Sequence, residues 1–104
     1  LYLNYVLLRD QNPLLIEAIN SSSLLSDGQQ QILKILVQFD VGIPIAQIMA
    51  LTNLSKQTIH FNIKKLMERQ YVMREKEMVY IYKANRDKIF EIIERYNQTK
   101  KVSH

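Results

Sequence analysis

No cysteine occurs anywhere in the 104 residues, which excludes disulfides, thiol redox chemistry and thiolate metal sites. The only histidines, His60 and His104, lie far apart and have no ligand partners at useful spacing, so neither a metal nor any other cofactor is expected. Glycine and proline occur twice each, too few for a loop-rich or low-complexity chain. No apolar run reaches the roughly 18 residues that a membrane-crossing helix needs. The opening residues LYLNYVLLRD are apolar, yet they lack the basic start and small-residue cleavage site of a secretory signal. A cytoplasmic protein without a membrane partner is therefore expected. The chain begins at Leu1 and not at a methionine, which fits a fragment of a longer protein. Nucleophile motifs, paired carboxylate sites and glycine-rich phosphate loops are missing too, so an enzyme is not expected.

One sign of charge is missing from one stretch. The chain carries a net charge of +4 and is otherwise ordinary for a globular domain, with 47% apolar and 23% charged residues. From Val41 to Met67, however, no Asp or Glu occurs, while Lys56, Lys64 and Lys65 fall inside the window. Acids flank it, with Asp27 and Asp40 before and Glu68, Glu75 and Glu77 after. Solvated helices normally mix both signs. A purely cationic segment points to an anionic partner.

The order of elements follows from caps and periodicity. Residues 1–10 are apolar on nearly all sides and suit a buried helix; Asn12-Pro13 reads as the start of a second. Ser26 and Gln29 have the spacing of a capping box for a helix ending near Asp40, with Ile32, Leu33, Leu36, Val37 and Phe39 as its stripe. Ile43 before Pro44 is extended. Ile45, Ile48, Met49 and Leu51 suit a short helix to Thr52, and Asn53 suits a left-handed turn. Ser55 caps the next helix, whose stripe is Ile59, Ile63 and Leu66. YVMREKEMVYIYK then reads as a hairpin of about 71–75 and 78–83. Asn85 starts a final helix with Ile89, Phe90, Ile92, Ile93 and Tyr96 on one side.

The helix after Ser55 carries the functional signal. With Ile59, Ile63 and Leu66 inward, steps of about 100° per residue put Gln57, Phe61 and Lys64 outward, with His60 and Lys65 on the shoulders. A helix lying in the major groove presents such a face to base edges, while its cap and first amides meet phosphate. Glutamine pairs bidentately with adenine, lysine reaches guanine or phosphate, and an apolar ring covers a thymine methyl. Ser55, Lys56, Gln57, Thr58, His60, Phe61, Lys64 and Lys65 are the candidate contacts, joined by Arg74 and Lys76 from the hairpin. The plain alternative for Lys64, Lys65 and Arg69 is stabilisation of the helix C-terminus by positive charge. A catalytic or metal role for His60 finds no support, because no carboxylate lies within a turn of it.

The stretch IPIAQIMALTNLSKQTIHFNIKKLMERQYV resembles the pattern LA..lglS..TV...l..Le..Glv of MarR-type and ArsR-type regulators. Ile48-Met49 stand at its Leu-Ala, Leu54-Ser55 at its turn and cap, and Thr58-Ile59 at its Thr-Val. Leu66 stands at the helix-end leucine and Tyr71-Val72 at the start of the wing. The resemblance spans residues 26–85. It implies a mainly α fold with a small β-hairpin wing, a winged helix-turn-helix, and a regulator that binds double-stranded DNA. Asn53 and Gln70 replace two family glycines, and the EKE tip lacks the glycine and Asp-x-Arg of MarR-type wings. With only residues 84–104 after the wing, the outline is nearer to ArsR-type proteins, although their metal-binding thiols are absent.

As organisation we expect one domain: N-terminal helices (1–25), the winged helix-turn-helix (26–83), and a C-terminal helix and tail (84–104). In the resembled families the outer helices make a two-fold dimer. This implies a homodimer interface of Tyr5, Leu8, Ile16, Ile89, Ile92, Ile93 and Tyr96, and a palindromic DNA site. Two other readings stay open. One is a protein-interaction module using the outward Phe61; the other is a plasmid-partition or architectural DNA-binding role. The operator, any effector ligand, and the choice between repression and activation are not encoded legibly.

Overall fold

The computed structural model describes residues 14–39 and 41–102. The expected helix at 1–10, the Asn12-Pro13 start, and Tyr5 and Leu8 lie outside them. Residues 14–20 are helical (α1). They are followed by α2 (Asp27–Leu36), α3 (Ile45–Leu51), α4 (Lys56–Glu68), β1 (Val72–Lys76), β2 (Tyr80–Ala84) and α5 (Arg86–Val102). None of these helices is long and apolar enough to cross a membrane.

Each helix buries the stripe its periodicity dictates. Ile32, Leu33 and Leu36 of α2, Ile48 of α3, and Ile59, Ile63 and Leu66 of α4 meet in one core. Tyr71, Val72, Tyr82 and Ala84 extend it under the hairpin, and Ile89 and Ile92 close it from α5. The strands pair antiparallel with Val72 opposite Ala84 and Lys76 opposite Tyr80, starting one or two residues later and ending one residue later than expected. Ile43 adds a one-residue third strand, exchanging both backbone hydrogen bonds with Tyr82 (3.0 and 2.9 Å).

Several local expectations are corrected. Helix α2 stops at Leu36, short of Asp40: the Gln38 and Phe39 amides bond the Ile35 and Leu36 carbonyls in tighter three-residue turns, and Arg86 of α5 donates to the Val37 carbonyl (2.8 Å) at this end. Ser26 caps α2 through the Gln29 amide, but the reciprocal half of the capping box does not form. The Gln29 side chain instead accepts from Arg69. Met49 and Leu51 are exposed, leaving Ile48 as the one buried residue of α3. Asn53 does not take a left-handed conformation. Thr52 is extended (φ −127°, ψ 169°), and its hydroxyl donates to the Ile48 carbonyl (2.9 Å) and accepts from the Leu54 amide (3.4 Å). An extended residue held by its own side chain turns the chain without positive φ.

Among the described residues the left-handed position is Gln70, at φ 68°. Helix α4 ends in a Schellman motif: the Tyr71 amide bonds the Leu66 carbonyl (2.9 Å) and the Gln70 amide bonds that of Met67 (3.0 Å). The Asn85 side chain donates to the Gln70 carbonyl (2.9 Å), and its backbone amide to that of Tyr71 (2.8 Å). Gln70 thus stands where the resembled families place glycine, and the same backbone shape is reached at a steric cost.

A second close fit joins α2 to α4. Asn62 is the one buried polar side chain of α4, and its Nδ2 donates to the Thr58 carbonyl (2.9 Å). A Cβ on Gly28 would stand 2.5 Å from that nitrogen. Glycine is required there by space and not by φ.

Two stability changes of opposite sign are expected in denaturant titrations. Gln70→Gly should stabilise by about 1 kcal/mol, since it relieves the left-handed strain. Gly28→Ala should destabilise by roughly 1–3 kcal/mol through overpacking against Asn62.

Candidate nucleic-acid interface

Helix α4 is built to hold one face out. Ser55 stands at its N-cap, accepting from the Thr58 amide (3.2 Å) and donating to the Thr58 hydroxyl (2.9 Å). Leu54 and Ile59 hold the positions of a hydrophobic staple, and both join the core. The capping bond occupies the Thr58 amide, and the Ile59 amide bonds the Ser55 carbonyl. Those of Lys56 and Gln57 fall in the helix's first turn, where no intrahelical acceptor exists. A helix N-terminus with open amides favours an anion.

With Ile59, Asn62, Ile63 and Leu66 inward and Met67 half buried against the core, the opposite face of α4 is presented outward. Lys56, Gln57, Thr58, His60, Phe61, Lys64 and Lys65 are all exposed, Phe61 at 61%. All these expected contacts of α4 share one connected surface. Lys65 is shared between two neighbours: its Nζ lies 5.6 Å from the centre of the Phe61 ring and 3.9 Å from the Glu68 carboxylate. That ion pair is half exposed and worth little, but it places Lys65 nearer to helix-end electrostatics than Lys56 and Lys64.

The hairpin contributes a second basic group. Arg74 lies 4.5 Å and Lys76 5.8 Å from the centre of the Tyr80 ring. Both cations therefore sit on one side of the ribbon, the side whose base is buried by Val72, Tyr82 and Ala84. Stacking on tyrosine limits their freedom while leaving their N–H groups available. Glu75 lies on the opposite side by strand alternation, and Met78 at the tip is fully exposed.

Arg69 belongs elsewhere. Its guanidinium donates to the Leu24 carbonyl and to Gln29 Oε1 (3.2 Å), and it stacks on Tyr71 with 5.1 Å to the ring centre. It clamps the end of α4 to the turn before α2. Arg86, bonded to Val37, does the same for α5. Sequence spacing gives no sign of either clamp, since each partner lies 40 or more residues away.

The expected dimer residues divide. Ile89 and Ile92 are 1% and 2% exposed within a single chain, so they belong to its own core and have no surface to offer a second copy. Ile16, Ile93 and Tyr96 are half buried against that core. Tyr96 hydrogen-bonds Glu17 of α1, which holds the phenol above its ordinary pKa, with partial burial and the carboxylate charge adding to the effect. Among the described residues, the large apolar side chains that these two helices leave exposed are Leu14 and Phe90.

Comparison with protein families places these features. The family model for winged helix-turn-helix DNA-binding domains matches residues 29–73, from the first turn of α2 into β1. The fold is a winged helix-turn-helix. Helices α3 and α4 are its helix-turn-helix, α4 is the helix that such domains present to DNA, and β1–β2 form the wing. The match supports DNA binding and a regulatory role. No curated protein and no solved structure matches the chain.

The division between clamp and DNA-facing residue has a direct check. Arg69→Ala should lower the unfolding free energy by about 1.5–3 kcal/mol, the scale of hydrogen bonds to a charged donor. Phe61→Ala and Lys64→Ala should stay within about 0.5 kcal/mol of the parent, because neither side chain leaves a cavity.

Proposed function

We propose that the protein is a sequence-specific regulator of transcription that binds duplex DNA as a homodimer. Helix α4 enters the major groove, and the wing meets the neighbouring backbone through Arg74 and Lys76. The observation that carries this reading is the exposed face of α4, on which Lys56, Gln57, Phe61 and Lys64 stand together within a stretch free of acids. Lysines supply phosphate attraction, and the open amides behind the Ser55 cap receive a phosphate oxygen. Gln57 reads adenine, and Phe61, about 160° from the buried stripe at 100° per residue, covers a thymine methyl. The motif likeness is to MarR- and ArsR-type regulators.

Dimerisation is supported by the apolar surface left on α1 and α5, where Leu14 and Phe90 remain exposed beside the half-buried Ile16 and Ile93. A two-fold dimer carries two α4 helices and so demands a rough palindrome, with half-sites about 34–36 Å apart or a multiple of that. The partner is DNA in the cytoplasm; no effector is assigned by this reading. A protein-interaction module is the competing use of the same face, favoured by the 61% exposure of Phe61.

Selection of random duplexes on the full chain, followed by salt titration of the enriched site, decides between the two. The expected result is an inverted repeat and a steep loss of affinity with salt. Lys56→Ala with Lys64→Ala should make the log–log slope less negative by roughly 0.9 for each phosphate that the variant no longer neutralises. Phe61→Ala should lower discrimination by about 1–3 kcal/mol at one base-pair position while leaving that slope unchanged. Failure to enrich any duplex, or binding insensitive to salt, would refute the DNA reading.

A further inference from the structure

The exposed face of α4 carries two neighbouring rows of side chains, each running along the helix in steps of four residues. One row holds Lys56, His60 and Lys64. None of these three side chains has a hydrogen bond or an ion pair among the described residues. The other row holds Gln57, Phe61 and Lys65, and it ends against Glu68. Here the side chains meet one another. The Lys65 ammonium lies 5.6 Å from the centre of the Phe61 ring and 3.9 Å from the Glu68 carboxylate. The first row is therefore free charge, and the second is an aromatic ring with a cation set over it.

Helix geometry accounts for this order. Helical side chains lean toward the N-terminus, so each covers the residue three or four positions before it. Lys65 folds back over Phe61, and Glu68 folds back over Lys65. The exposed Phe61 ring takes no part in the core, so the core does not select its rotamer. An ammonium attracted to the ring face does. A ring already ordered in the free protein loses less side-chain freedom when it packs against a ligand.

We propose that Lys65 is a positioning residue: it holds the Phe61 ring in the orientation in which that ring reads a base, and it does not itself neutralise a phosphate. The assignment rests on the DNA reading given above. Glu68 offsets the Lys65 charge, although their exposed pair is too weak to fix the side chain alone. Phosphate attraction on α4 then falls to Lys56 and Lys64 in the other row. One row of the helix binds the backbone, and the other reads sequence.

Two measurements test this. The first needs no DNA: in NMR spectra of the full chain the Lys65 ε-methylene protons should lie upfield of ordinary lysine positions, and Phe61→Ala should return them. The second uses the duplex enriched by selection. Lys65→Gln should lower discrimination by about two- to fivefold at the base pair that Phe61→Ala identifies, the range of an exposed cation–ring contact. In the Phe61→Ala background the same change should have no further effect, and Lys65→Arg should keep the parent discrimination. The log–log salt slope should hold in Lys65→Gln, whereas Lys64→Gln makes it less negative by roughly 0.9 for each phosphate lost. Unshifted ε-methylene protons, a loss that persists without Phe61, or a slope change equal to that of Lys64→Gln would overturn the proposal and leave the DNA reading intact. Failure to enrich any duplex would refute both.

Discussion

The rest of the molecule depends on how α4 ends. Within six residues, Leu66 to Tyr71, the chain closes a Schellman motif, takes a left-handed step at Gln70 and turns into the wing. Arg69 ties this point to the turn between α1 and α2 through Leu24 and to the first turn of α2 through Gln29. Asn85 ties it to the start of α5 through Gln70 and Tyr71. Four parts of the fold meet there, and none of them can rotate without breaking a hydrogen bond. A left-handed glutamine is tolerated because these bonds over-determine its backbone.

That junction also sorts the cations. A guanidinium with fixed acceptors, such as Arg69 or Arg86, gives up its hydrogen-bonding capacity to the fold. Lys65 is drawn partly toward Glu68, and Lys88 pairs with Glu91 at 3.1 Å. Among the described residues, Lys56 and Lys64 stand without such partners on α4, and Arg74 and Lys76 meet only the Tyr80 ring on the wing. The net charge of +4 therefore understates how unevenly positive charge is distributed. No acid falls between Val41 and Met67, and the face of α4 from Ser55 to Lys64 carries no negative charge.

The inward side of α4 is as constrained as its outward side is open. Asn62 completes the buried stripe, satisfied within its own helix and pressed against Gly28. This contact fixes how closely α2 approaches α4. Among the described residues no buried side-chain polar atom lacks a partner, so the helix carrying the interface sits on a fully satisfied core. A rigid base keeps the projecting side chains in register with one another.

What the sequence determined by itself was local. The Ser55 cap, the Ile59-Ile63-Leu66 stripe and the outward set opposite it follow from a 3.6-residue period and a capping hydroxyl, both contained within a dozen residues. Strand alternation likewise made the wing legible to within two residues. Tertiary structure decided everything that needed a distant partner: Arg69 and Arg86 as clamps, Gln29 diverted from its capping box, and Asn62 on the buried side despite its polarity. It also decided which neighbour covers an apolar stripe. Ile89 and Ile92 have the periodicity of an interface, yet their own subunit buries them. A hydrophobic period specifies that a face must be covered but carries no information about what covers it.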